Sequence, residues 1–232
     1  MIPTVKFEDL GLLRYQDALE YQKEIFNQNI QTKISNRKEG KQDLTYNHLL
    51  FVEHPHVYTM GKSGSEANLL VNESMLKQTG VEYHKIGRGG DITYHGPGQI
   101  VAYPILDLET YFFTDIHKYM RLLEEVVIQT LQEFNVSSSR VEGLTGVWID
   151  GDTPEARKIC AMGVKTSRWV TMHGIALNVK TDMSYFGNIV PCGIVDKKVT
   201  SLEQEIGSVE ISEVKDVLKN KFAEIFNFKF LN

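Results

Sequence analysis

The chain has little cysteine. Cys160 and Cys192 are the two in 232 positions. They make no disulfide framework, and no C-x-x-C pair is present to hold zinc. No run approaches the ~18 apolar residues that cross a bilayer. The opening MIPTVKFEDLG lacks the basic-then-apolar pattern of a signal peptide. No Pro/Gly/Ser-rich linker divides the chain, and it holds no internal repeat. The net charge of −5 gives the whole protein no attraction to nucleic acid or to an anionic membrane. These absences lead us to expect a single domain over 1–232, reduced and cytoplasmic. A hydrophobic content of 42% with 24% charge fits a soluble globular chain.

The patterning predicts strands in runs and two long helices far apart. A short strand is expected from Ile2 to Phe7, broken by Gly11. Tyr15, Ala18, Leu19, Gln22, Ile25, Phe26, Ile30 and Ile34 recur at helical spacing. Asn36 to Asp43 reads as a loop. Leu44 to Glu53, Val57 to Met60 and Val81 to Ile86 read as strands. Between the last two, a short helix is capped by Asn72 and closed by Gly80. Ile100 to Leu108 is another strand, which Pro104 marks as an edge or a bulge. Thr114 caps a helix with Ile116, Met120, Leu123, Val127, Leu131 and Phe134 on one face. Strands over Val136–Glu142, Val147–Asp150, Lys158–Lys165 and Val170–Val179 follow, then a helix capped by Ser212. The fold class is α/β (α+β): a mixed, largely antiparallel sheet with packed helices.

Four segments carry candidate chemistry. Gly87 to Gln99 holds five glycines in thirteen positions, with Arg88, Thr93, Tyr94 and His95 among them. Glycine lets backbone N–H groups come close to a ligand. The spacing is not that of a dinucleotide fingerprint, and Gly61-Lys62-Ser63 lacks the upstream part of a P-loop. In Arg157 to Val164, a strand would put Lys158, Cys160 and Met162 on one side. A lysine there either snorkels to water or, desolvated, acts as a base. His173 to Asn178 reads as a pocket wall, although a lone histidine is more often structural. Cys192 lies between Pro191 and Gly193, at a tight turn after a buried strand. A packed cysteine is the commoner case. A thiol at a pocket lip is the other.

The strings GRGGDITYHGPGQ, TGVWID, RKICAMGVK, HGIALN and IVPCGI followed by VTSL resemble, in order, the lipoyl(octanoyl) transferase family, also called lipoate-protein ligase B. The resemblance covers roughly Phe51 to Leu202. It implies the fold of the biotin and lipoate protein ligase catalytic domain. It also implies transfer of octanoyl from octanoyl-acyl carrier protein to a lysine of a lipoyl domain. Such acceptors are found in 2-oxoacid dehydrogenases and in the glycine cleavage H protein. The family's nucleophile matches Cys192 and its lysine matches Lys158. Its substrate-binding segments match Arg88, Gly89, Gly90, Asp91, Ile92, Thr93, Tyr94 and His95, then Ala161, Met162 and Gly163, then Gly174, Ile175 and Ala176. Cys160 stands where the family is expected to have a small unreactive residue, which puts a second thiol near the site.

Thioester-to-amide exchange is downhill, so the expected chemistry uses no cofactor and no metal. The octanoyl tail would gain about 0.8 kcal/mol per buried CH₂, with Met162 and Ile175 as candidate neighbours. An acidic carrier protein needs a local basic patch. Arg88, Arg157, Lys165, Arg168, Lys197 and Lys198 are the candidates. Three rival readings are an ATP-dependent lipoate or biotin ligase, a module that only binds lipoyl domains, and a metal hydrolase using His54, His56 and His95.

Overall fold

A computed structural model describes residues 2–190 and 198–231. The first strand, β1 (Thr4–Leu12), leads into helix α1 (Tyr15–Glu39). Next come β2 (Asn47–Glu53), β3 (Val57–Met60), α2 (Glu73–Thr79), β4 (Glu82–Lys85), β5 (Ile92–His95) and β6 (Gln99–Ile105). Helices α3 (Leu108–Tyr111) and α4 (Ile116–Glu133) follow, then β7 (Ser139–Val141), β8 (Leu144–Ile149), β9 (Arg157–Ser167) and β10 (Val170–Asn178). The last elements are β11 (Lys198–Val199), α5 (Leu202–Ile206), α6 (Ile211–Phe226) and β12 (Lys229–Phe230).

Among the described residues, nine strands form a large sheet in the order β12-β1-β2-β6-β10-β9-β8-β7, with β11 on β9. Pairing from β2 through β7 is antiparallel. β1 is parallel to both β2 and β12, and β11 is parallel to β9. The sheet is therefore mixed and largely antiparallel, as its residues led us to expect. β4, β3 and β5 make a separate small sheet.

Helices cover both faces of the large sheet. Leu49 and Phe51 of β2 join the core under α4 and α6, with Leu123, Val127, Leu218 and Phe222. Leu50 and Val52, the alternate residues, pack under α1 with Ala18, Leu19 and Phe26. This is why the β2 segment reads as an unbroken apolar run rather than an alternation.

Several local expectations are corrected. Gly11 does not end β1. It takes φ +61°, and the pairing with β2 shifts register between Asp9 and Leu12. The expected loop from Asn36 begins later, because α1 runs on to Glu39 and closes at left-handed Gly40. Asn36 then bridges the turn through two hydrogen bonds with the Asp43 backbone, at 2.7 and 3.0 Å. Pro104 is not at a sheet edge, since β6 lies between β2 and β10. The β6–β10 ladder ends at Ala102, and the Thr171 hydroxyl donates to the Pro104 carbonyl at 2.8 Å. Asp115, not Thr114, caps α4, accepting from the Lys118 N–H at 2.9 Å. Glu210, not Ser212, stands at the N-cap of α6.

Candidate active site

Where the two sheets meet, a cavity of about 480 Å³ opens beside β9 and β10. That volume lies within the range of small-molecule sites. Its wall includes Lys158, Ala161, Met162 and Gly163 from β9, and Gly174, Ile175 and Ala176 from β10. The Gly-rich segment contributes Arg88, Gly89, Gly90, Asp91, Ile92, Thr93 and His95. Three of the four segments singled out in the sequence thus converge, with one exception. Tyr94 alternates away from Thr93 and His95. Its hydroxyl bonds the His56 Nδ1 at 2.7 Å, and its ring stacks on Tyr185 at 5.0 Å.

The glycines bring backbones together. A Cβ on Gly61 would stand 2.1 Å from the Gly90 carbonyl oxygen, and one on Gly163 would stand 2.7 Å from that of Gly89. The Lys62 N–H donates to the Arg88 carbonyl at 3.0 Å, and the Gly89 N–H donates to Val164 at 2.9 Å. The segment is therefore bonded on two sides, to the loop after β3 and to β9. Arg88 ties it further. Its buried guanidinium donates to the Thr59 carbonyl at 2.7 Å, the Thr59 hydroxyl at 3.0 Å and the Gly89 carbonyl at 3.0 Å.

Three histidines close off one region. Desolvation lowers His95 to about 3, with His54 and Arg88 nearby adding to the effect. Desolvation likewise lowers His173 to about 3, with Arg88, Lys165 and Lys23 adding to it. His54 falls to about 4 for the same first reason. All three are neutral at pH 7. His95 bonds the Gln99 Oε1 through Nδ1 at 2.7 Å, and Gln99 donates onward to the Asn178 Oδ1 at 2.8 Å. His54 bonds the Leu13 carbonyl and the Tyr103 hydroxyl, each at 2.8 Å. His56 lies apart, stacked on Tyr185 at 4.2 Å. The metal reading of His54, His56 and His95 therefore has no common centre. Among the described residues no group of three His, Cys, Asp or Glu is placed to hold an ion.

Lys158 is the lysine of the cavity wall. It pairs across the ladder with Trp148, and its Nζ stands 4.6 Å from the centre of a Trp148 ring. On its other side it pairs with Val199, which also lines the cavity. The second thiol is not beside it. Val147 faces Cys160 while Trp148 faces Lys158, so Ile159 is an extra residue and the alternation expected along β9 is broken there. Cys160 is fully buried in the core with Val147, Ile159 and Leu177. Desolvation pushes its thiol well above the ordinary range. Cys192 lies outside the described residues. The residues flanking it in sequence are placed: the Val190 N–H donates to the Asn68 carbonyl at 2.8 Å, and Lys198 opens β11 against Arg157.

Two expected docking charges are engaged elsewhere. Arg88 is buried as described. Arg157 is held by Asp150 at 2.5 Å and by Glu205 at 2.5 Å. Lys197 lies outside the described residues. Sequence reasoning also missed Tyr15, Tyr103, Met120 and Phe186 in the wall. No local pattern marks them, because each is an ordinary apolar or aromatic position of its own element.

Comparison with known proteins agrees with this geometry. Residues 14–223 match the family model of the lipoyl protein ligase A/B catalytic domain. An octanoyltransferase of Flavobacterium johnsoniae is 59% identical over 221 residues, 95% of this chain and 94% of the relative. One of Flavobacterium psychrophilum is 56% identical over 229 residues, 98% of each. Among solved structures, a bipartite lipoate protein ligase of Thermoplasma acidophilum superposes with a TM-score of 0.73 at 18% identity. That match covers 99% of this chain and 86% of the other. A lipoate-protein ligase A bound with ATP gives 0.70 at 17%, covering 100% and 88%. At such identities the structural likeness establishes the fold.

Proposed function

We infer the function from one premise: the chain belongs to the lipoyl protein ligase A/B catalytic domain family, and is an acyltransferase of its octanoyltransferase branch. We propose that it moves an octanoyl group from octanoyl-acyl carrier protein to a lysine of lipoyl domains. Those are the domains of 2-oxoacid dehydrogenases and of the glycine cleavage H protein. The reaction passes through a Cys192 thioester in the cytoplasm. The observation that carries this reading is a largely apolar cavity with one lysine, Lys158, in its described wall.

In the first half-reaction Lys158 takes the Cys192 thiol proton, and the resulting ammonium steadies the thiolate. The thiolate attacks the donor carbonyl carbon. The C–S bond to the carrier breaks, and the leaving thiolate takes a proton from Lys158. In the second, the neutral amine of the acceptor lysine attacks octanoyl-Cys192. The amide forms, the Cys192 sulfur leaves as thiolate, and Lys158 receives the amine proton. Ala161, Met162, Ile175 and Ala176 give the tail an apolar wall. The engaged Arg88 and the neutral His95 and His173 shape that wall without carrying the proton.

The test is intact mass after mixing with octanoyl-acyl carrier protein. One octanoyl group should appear on the protein, map to the peptide with Cys192, and pass to a lipoyl domain. Octanoylation of a lipoyl domain from free octanoate and ATP, with none from the carrier, would replace this reading with the ATP-dependent one.

A further inference from the structure

A buried tryptophan and a glycine at positive φ stand beside Lys158 and take no part in the proton transfers. Both sit in the Thr145-Gly146-Val147-Trp148 stretch of β8. Val147 faces the core under α4. Gly146 and Trp148, two apart, share the opposite side of the strand. Lys158 is the residue directly across from Trp148, and directly opposed residues of an antiparallel pair put their side chains on the same face.

The two residues do different things to that lysine. A Cβ on Gly146 would lie 3.3 Å from the Lys158 Cε and 3.5 Å from its Cδ, so the missing side chain leaves room for the lysine stem. Gly146 holds φ +120°, and the same Cβ would stand 2.6 Å from the Cys160 carbonyl oxygen. The buried Glu124 of α4 fixes this backbone by accepting the Gly146 N–H at 3.1 Å. Glu124 is itself held by Arg121 at 2.6 Å and by Arg140 at 3.1 Å. Trp148 then offers its ring face to the Nζ at 4.6 Å, within the range of a cation–π contact. Only 2% of Trp148 is exposed, and among the described residues its Nε1–H finds no acceptor. A buried indole with no use for its N–H contributes through its ring.

We propose that Trp148 is a positioning residue for acyl transfer: its indole face, beside the gap left by Gly146, holds the Lys158 ammonium at the cavity wall. The proposal rests on the reading of Lys158 as the proton-carrying group. The contact confines the four-carbon stem to rotamers that keep the ammonium against the indole face.

Two measurements test it. Trp148→Phe keeps a ring face and loses no hydrogen bond, so its kcat should stay within about threefold of the parent. Trp148→Leu should lower kcat about tenfold with KM for octanoyl-acyl carrier protein unchanged. Full activity in Trp148→Leu, or equal losses in both variants, would overturn the proposal. The second measurement leaves Trp148 in place. The chain has two tryptophans, so Trp169→Phe makes Trp148 the sole indole. Its emission should change when Lys158→Met is added, because the ammonium leaves the ring. Unchanged emission removes the contact and the proposal. Changed emission with undiminished transfer in Lys158→Met instead overturns the role given to Lys158, and the positioning proposal falls with it.

Discussion

Cys160 and His95 show how burial, rather than residue type, decides chemistry at a single position. Cys160 carries the more nucleophilic kind of side chain, yet desolvation raises its pKa and keeps it a thiol at neutral pH. We expect iodoacetamide at pH 8 to modify Cys192 in the native protein and to reach Cys160 only after unfolding. Peptide mapping reads the outcome, and native labelling of Cys160 would contradict its burial. His95 stays neutral because desolvation lowers it to about 3. It therefore serves through its hydrogen bond to Gln99, which continues to Asn178. His95→Ala leaves the Gln99 oxygen without that donor, at a cost of about 1–3 kcal/mol. On the Cys192 route we propose, single-turnover acylation should slow by about tenfold, far less than on loss of Cys192. A loss as complete as that of Cys192→Ala would make His95 part of the reacting set.

At the scale of elements, what positions the site is the crossing of the Gly-rich segment over β9. Gly163→Ala would force a methyl to within 2.7 Å of the Gly89 carbonyl and 3.0 Å of the Arg88 Cδ. Neither neighbour can yield easily, since Gly89 is bonded to Val164 and Arg88 to Thr59. We expect a loss of about 1–3 kcal/mol in urea unfolding, by overpacking, and a fall in octanoyl transfer. A fully stable, fully active variant would mean that the crossing is looser than its geometry. This crossing was half legible in the sequence. The glycine density of 87–99 announced close backbone approach, but the partner at Gly61 and the pairing to Val164 are tertiary facts with no local mark. The same holds for β9. Its apolar character and its lysine were plain, whereas the extra residue at Ile159 shows only in the register with β8. That is why period-2 counting placed Cys160 beside Lys158. Grouping by segment fails in the other direction at Tyr94, whose hydroxyl and ring are taken by His56 and Tyr185 rather than by the cavity. Most strands, α1, α4 and α6 were visible from apolar spacing. The α4 cap moves by one position, to Asp115, the stronger of two adjacent capping residues, and the α6 cap by two, to Glu210, whose side chain makes no capping hydrogen bond.

For the whole molecule, the three neutral histidines tie stability to pH. His54, His95 and His173 have folded values of about 4, 3 and 3, below the ordinary histidine value near 6.5. Between those limits the unfolded chain binds more protons than the folded one, so stability rises with pH across that window. The contribution is complete above about pH 6.5 and is lost as pH falls towards 3–4. Lowered carboxylates act in the same direction but lower down. Glu8, Glu125 and Glu205 sit below 4.5 when folded, so their contributions decline only as pH drops through and beneath that value. The interval from about 4.5 to 6.5 therefore belongs mainly to histidine. Urea unfolding measured in steps across that interval should show stability falling with acid, at a slope approaching three protons from these histidines, to which the His48 ring, also lowered by desolvation, adds. His54→Gln should remove one proton from the slope, even though the variant starts from lower stability at pH 7. That distinction separates linkage from simple damage, because a packing defect shifts the whole curve and leaves its slope alone. A flat profile between pH 4.5 and 6.5, with loss only below it, would mean that the histidines titrate normally in the folded protein and that the cavity region is open to water.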